Sequence, residues 1–290
     1  MARTSARWTF HRFDKPAPWL SPAEIDEAKR RNPTSRYLRL WQGVWSSREG
    51  DVAVSDEDLK AAVTMTGPMQ RAEIASRHTF AGSLDLAWRK DRAAFVVLSC
   101  DHQSQRVRVA YAQDWSAAGP RDVDLIDVMA TVLQQAQHFN FGTVIGDESQ
   151  AVLMGQLLAQ RGIRFRGVPQ SGKEASARAM GFVTAFKERV IELYDHPALI
   201  RDLSKIKIIE KANVLKLSAE RDETGHADLA FAVSFLLPAA VAQCRRPMHQ
   251  QEHPHWEPER AMTTPAHGGY VGRSEGGFGI AATEADFNRW

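Results

Sequence analysis

Three strand-like segments follow one another between residues 80 and 112 with only short polar turns between them, and this succession restricts the possible folds more than any other feature. FAGSLDLA (80–87) alternates, with Phe80, Gly82, Leu84 and Leu86 on one face and Ala81, Ser83, Asp85 and Ala87 on the other. AAFVVLSC (93–100) and QRVRVAYA (105–112) come next, so the three should form an antiparallel meander. A helix over about 122–138 follows, with Val123, Ile126, Ala130 and Leu133 spaced for one face. FGTVIGD (141–147), a helix over 149–161 and IRFRGV (163–168) then make a β-α-β unit, whose two strands must be parallel. The right-handed crossover rule permits a mixed five-stranded sheet in the order 3-2-1-4-5, with its first and fourth strands as parallel neighbours. A longer helix over about 173–194 and a final helix over about 226–239 complete an α/β domain spanning 78–242. Between them, KIKIIE (205–210) and VLKLSAE (214–220) fit short strands or an amphipathic hairpin equally well.

The flanks differ in composition. Residues 1–77 are rich in Trp, Pro and Arg, and Ser21, Pro22 and Glu24 read as an N-cap, a first-turn proline and a capping-box acid opening a helix to Arg31. This segment has too few aliphatic residues for a core of its own, so it is expected to pack on something else. Residues 243–290 are dominated by Gly, Pro, His and charge without a period, which reads as a disordered tail. His249, His253 and His255 have metal-like spacing, but a tail of this composition points to unstructured chain rather than a zinc site. With 43% hydrophobic and 25% charged residues, the whole is close to the soluble globular average. No apolar run reaches the roughly 18 residues needed to span a bilayer, and the longest, 229–242, is interrupted by Ser234 and Pro238. The first residues lack the apolar stretch of a secretory signal, and Cys100 and Cys244 cannot build a disulfide framework or a cysteine-rich zinc site. A reducing, cytoplasmic setting is the expectation.

Three carboxylates stand out. An ionisable group within an apolar strand is costly unless paired or metal-bound, and Asp85 lies between Leu84 and Leu86. Backbone donors or an arginine could also satisfy it. Asp147 ends the fourth strand, where an Asp is also a common helix N-cap and Ser149 competes for that role. Asp228 opens the last helix, where an acid favourably meets the helix dipole. In the order 3-2-1-4-5, Asp85 and Asp147 leave the same end of neighbouring strands, roughly 5 Å apart. A helix folded back across the sheet could bring Asp228 to the same place. Clustered carboxylates need cations to stay ionised, and oxygen-only ligands suit Mg2+ or Mn2+, two of which can serve in-line phosphoryl displacement.

The same residues carry a resemblance. GSLDLAWRKDRAAFVVL, with Asp85 in a first strand and Asp91 six residues on, resembles the first motif of the nuclease domain of phage terminase large subunits, the RNase H-like DNA-packaging nucleases. TVIGDESQAVLMGQLLAQRGIRFRGVPQ resembles the second motif and GHADLAFAVSFLLPAA the third, while residues 18–62 resemble the segment joining motor and nuclease domains. The resemblance implies an RNase H-like fold and a metal-dependent endonuclease that cuts double-stranded DNA during genome packaging. It further implies Asp85, Asp147 and Asp228 as ligands of two Mg2+ or Mn2+ ions, Asp91 as an outer or alternate ligand and His226 as a donor behind them. The same acids would serve a transposase- or resolvase-like enzyme. A non-catalytic packaging component would bind no divalent metal at them.

A large terminase also carries an N-terminal ATPase, which these 290 residues do not include. GVPQSGKE (167–174) is a near-match to a phosphate loop but has Glu174 where a Mg2+-binding hydroxyl belongs. It is better read as a loop beside the nuclease cleft. A separate ATPase motor subunit, the small terminase and the portal are then the expected partners, in the host cytoplasm, unless the gene is a remnant. Net charge is only +2, yet residues 161–217 hold twelve Lys and Arg against six Asp and Glu. From this basic stretch Lys173, Arg178, Lys205, Lys207 and Lys211 are candidate contacts to the DNA backbone.

Overall fold

The computed structural model describes residues 18–44, 51–86, 93–115, 123–211, 214–220 and 226–246. Asp91, the three tail histidines and all of the expected tail beyond residue 246 lie outside them.

Two helices come first, α1 (Pro22–Arg31) and α2 (Thr34–Gln42). In α1 the Ser21 hydroxyl accepts the Glu24 N–H, and the Glu24 carboxylate accepts the Ser21 N–H at 2.8 Å, so the expected capping box is made. Then come β1 (Asp51–Val52), α3 (Asp56–Ala62) and β2 (Val63–Met65). The meander is β3 (His78–Asp85), β4 (Ala93–Asp101) and β5 (Arg106–Trp115). The β-α-β unit follows α4 (Leu125–Phe139) and consists of β6 (Thr143–Asp147), α5 (Ala151–Ala159) and β7 (Arg164–Val168). The chain continues through α6 (Gly172–Lys187), β8 (Ile191–Tyr194), α7 (Pro197–Lys205), β9 (Lys207–Lys211), β10 (Val214–Ser218) and α8 (Asp228–Cys244).

Seven strands form the main sheet in the order β2-β8-β5-β4-β3-β6-β7. Its inner run, β5-β4-β3-β6-β7, is the order 3-2-1-4-5 expected from the sequence. The meander pairs antiparallel, whereas β3, β6 and β7 are parallel.

Two differences extend the sheet. The helix expected over 173–194 ends at Lys187, because Arg189 turns the backbone to φ 55° and releases Ile191–Tyr194 as a strand parallel to β5. β2 then adds, also parallel, to β8. KIKIIE and VLKLSAE, left open above, form the antiparallel pair β9 and β10, and β1 completes this small second sheet in the order β1-β9-β10. Residues 51–65 therefore supply one strand to each sheet, and Val54, Leu59 and Ala62 sink into the main core. The last helix runs beyond its expected end, to Cys244.

The alternation of each strand sorts its side chains into two apolar cores. Phe80, Leu84, Phe95, Val97 and Val144 face α4 and α5, whose Val128, Val132, Met154 and Leu158 are fully buried. Ala81, Ala94, Val96, Leu98 and Ile145 face the opposite side, covered by α6, α7 and α8. Because α8 is apolar all round, it is a buried helix, and it lies across β3, β4, β5 and β6. Its Pro238 meets α6 at Gly181, where a Cβ would come within 2.8 Å of the proline ring. A mid-helix glycine costs about 1 kcal/mol relative to alanine, and here the close crossing of α6 and α8 requires it.

Gly146 plays a similar part between strands. A Cβ there would lie 2.5 Å from the Leu84 carbonyl oxygen and 2.7 Å from the Phe165 ring, so β3 and β6 could not keep their register. Gly146→Ala is expected to destabilise the fold by about 1–3 kcal/mol in urea titration. Gly155→Ala in α5, where a Cβ meets nothing within 4 Å, should leave stability unchanged or raise it by up to about 1 kcal/mol. Equal losses at the two positions would contradict the close β3–β6 approach.

Candidate active site

The β3–β6 register pairs Gly82 with Val144, Ser83 with Ile145 and Leu84 with Gly146. One step further, Asp85 lies opposite Asp147. Each shares its strand parity with a residue of the α8-covered core, Asp85 with Ala81 and Asp147 with Ile145, so both belong to that face. Both side chains are half-buried.

The direction of α8 places Asp228. At its C-terminal end the Cys100 thiol donates to the Ala240 carbonyl at 3.1 Å, and the Cys244 thiol to the Arg106 carbonyl at 3.4 Å. These contacts tie that end to the edge of the sheet where β4 ends, β5 begins and β3 starts, since His78 pairs with Asp101 and Asp101 with Arg106. A helix of 17 residues is about 25 Å long, and a strand of 8 residues about 27 Å. The N-terminal end of α8 therefore reaches the opposite edge, where β3 and β6 finish, and it starts with Asp228, 7% exposed. Three aspartates thus arrive at one end of one sheet face from three different elements. Among the described residues, no three or more His, Cys, Asp or Glu side chains are grouped closely enough to hold a metal ion.

The neighbours of these acids are now definable. Asp147 Oδ1 accepts the Ser149 N–H at 2.7 Å, so Asp147 also caps the short 3-10 turn Glu148–Gln150 that leads into α5. Arg178 of α6 lies within the electrostatic reach of Asp147. Burial pulls its guanidinium down to about 10, against the opposing charges of Asp147 and Glu174. It donates to the Pro169 carbonyl at 2.6 Å and to Gln170 Oε1 at 2.9 Å, and it lies 5.5 Å over the Phe235 ring. Arg178 is thus turned into the protein rather than displayed on its surface, along one wall of a cavity of about 670 Å³ between β7, α6 and α8. Arg166 of β7, counted in the basic stretch without a role of its own, lines the same cavity.

The remaining candidates are dispersed. Lys173 is exposed in the first turn of α6, which follows directly on the loop 169–171 of the near-match GVPQSGKE. Lys205 closes α7, and its charge acts on Asp202. Lys207 is bonded to Glu220 at 2.6 Å. The Lys211 side chain lies outside the described residues. His226 stacks on Phe231 at 5.4 Å, with the two rings nearly parallel. Asp202, in the sequence only one of the six acids of residues 161–217, is 5% exposed on α7 and accepts the Leu229 N–H of α8 at 3.2 Å. In the sequence it is one acid of an ordinary amphipathic helix, so only the fold reveals its position.

No protein-family model matches the sequence, and no curated protein matches it. Solved structures do match. The large terminase nuclease from thermophilic phage G20c is similar at a TM-score of 0.50 and 14% identity, over 63% of this chain and 96% of that one. A second structure of that nuclease, with bound magnesium, is similar at 0.50 and 12% identity over 66% and 98%. The HK97 bacteriophage large terminase is similar at 0.54 and 14% identity, over 75% of this chain and 50% of that one. The chain therefore spans about half the length of that full-length terminase. At these identities the likeness is one of fold, and the described α/β/α architecture is that of the large-terminase nuclease domain.

Proposed function

We propose that this chain is a metal-dependent endodeoxyribonuclease that cuts double-stranded DNA during phage genome packaging. Asp85, Asp147 and Asp228 would hold two Mg2+ or Mn2+ ions. The observation that carries this reading is the arrival of the three aspartates at one end of the α8-covered face, two by strand register and one by helix direction. Carboxylate oxygens are the ligands small hard cations take, and because the three side chains do not yet group closely enough to hold an ion, binding would have to draw them together. The fold shared with terminase nucleases supports the same reading, as does the magnesium bound by one of them.

Each residue has a separate task. Asp85 and Asp147 project from paired strands, which hold their separation fixed. Asp228 opens α8 at the end of the face where β3 and β6 finish. Arg178 offsets the charge of Asp147 while its own donors stay engaged. When bound, the two ions supply an activated water and stabilise the leaving 3′ oxygen of an in-line displacement. Asp91 is a further candidate ligand and His226 a candidate donor behind the acids. Exposed Lys173, together with Lys205, Lys207 and Lys211, would meet backbone phosphates, with Arg178 supporting the cleft from within. An ATPase motor, the small terminase and the portal would be its partners in the host cytoplasm. Among the described residues no helix is long and apolar enough to cross a membrane.

Asp85→Asn keeps the shape but removes an anionic ligand. Nicking of supercoiled plasmid with Mn2+ is expected to fall at least about a hundredfold, the equivalent of about 3 kcal/mol of transition-state stabilisation, with the melting temperature retained. Unchanged nicking would remove Asp85 from the mechanism and favour a non-catalytic packaging role. Cleavage by the intact chain is expected to weaken steeply with salt, because binding rests on phosphate contacts. ATP is expected to have no effect, since Glu174 puts negative charge where a hydroxyl should meet the nucleotide-bound metal. A salt series run with and without ATP checks both, and ATP stimulation would contradict the reading of GVPQSGKE.

A further inference from the structure

The start of α8 lacks the side-chain cap that a helix end normally requires. Its N-cap residue is Ala227, which has no hydroxyl, amide or carboxylate to offer the first-turn N–H groups. Ala227 also adopts φ 63° and ψ 41°, a left-handed conformation that costs a non-glycine residue about 1–2 kcal/mol. Both features fall immediately before Asp228, inside the protein, where water does not make good the loss. Such local strain persists only where surrounding structure over-determines it.

The missing acceptor comes from another element. Asp202 Oδ2 accepts the Leu229 N–H at 3.2 Å, and its Oδ1 is held by Arg201 through Nη2 at 3.1 Å and Nε at 3.3 Å. The Asp202 side chain is 7% exposed. A buried carboxylate needs such partners, and removing the acceptor would leave an N–H of α8 unsatisfied in the interior. The bond joins α7 to the peptide that directly follows the Asp228 Cα. It therefore fixes how far α8 extends toward the sheet edge and how its first turn is rotated.

We infer that Asp202 is a positioning residue: by capping α8 from α7 it sets the place of the Asp228 carboxylate relative to Asp85 and Asp147. This inference rests on the proposed metal-binding role of those three acids. Asp202 would not touch the ion, and its effect would pass through the backbone of α8. Groups that orient metal ligands in this indirect way typically govern ten- to hundredfold in metal affinity.

The test uses the full chain, with Mn2+ alone as the probe, in titration calorimetry together with thermal melting without metal. Asp202→Asn retains an oxygen acceptor for the Leu229 N–H and is expected to bind Mn2+ within about threefold of wild type. Asp202→Ala should bind about ten- to hundredfold more weakly and melt at a lower temperature. Joining Asp202→Ala to Ala227→Gly separates position from stability. Glycine adopts the left-handed conformation without cost, so it should restore melting, yet it cannot supply the missing acceptor. The double variant is expected to regain stability and keep the weakened Mn2+ affinity, and it also serves if the single variant fails to fold. Recovery of both together, or unchanged affinity in Asp202→Ala, would overturn the positioning role. Absence of Mn2+ binding in the wild-type chain would instead overturn the three-acid reading itself, and this inference with it.

Discussion

The close parallel approach of β3 and β6 is the contact on which the rest of the molecule depends. Parallel neighbours cannot be joined by a tight turn, so the chain must leave the meander, cross over through α4 and return. Gly146 lets the returning strand settle against the Leu84 carbonyl, and the register that results sets Asp85 level with Asp147. That alignment is unfavourable by itself. Like charges on neighbouring strands repel. Arg178 relieves part of this from the Asp147 side.

Helix α8 carries Asp228 toward the same end of the sheet face. Its length matches that of β3, and its two ends are secured by different means. At one end the thiols of Cys100 and Cys244 bond to backbone carbonyls, and at the other the Asp202 carboxylate accepts the Leu229 N–H. Midway, the Gly181–Pro238 crossing brings α6 close, and α6 in turn delivers Arg178 against Phe235. Packing and site are therefore not separable here, because the helix that fills the core also carries the third acid.

Much of this was legible in the sequence because it is written in periodic patterns. The alternation of FAGSLDLA separates Leu84 from Asp85, and the structure keeps them on opposite faces. The order of the inner five strands is one that the meander, the β-α-β unit and the handedness rule permit. What escaped has a shared cause, since β1, β2 and β8 hold two, three and four residues, too few to show a period. β8 was further hidden at the end of an apolar helical pattern, and only the positive φ of Arg189 separates the two. In the site, Asp85 was visible as a charge within an apolar strand, Asp147 as the acid ending a strand and Asp228 as the acid opening a helix. Arg178 was visible only as a member of a basic stretch, so its inward direction could not be read. Asp202 was invisible, because its role depends on the contact between two helices that the sequence does not pair.

The central claim is that Asp85, Asp147 and Asp228 share bound cations. Crystals soaked in Mn2+ and measured at the manganese absorption edge test it most directly, because anomalous scattering locates the ion independently of activity. One or two anomalous peaks are expected at the end of β3 and β6, within about 2.5 Å of carboxylate oxygens from all three aspartates. A well-ordered site with no peak there, or manganese bound only elsewhere on the protein, would contradict it.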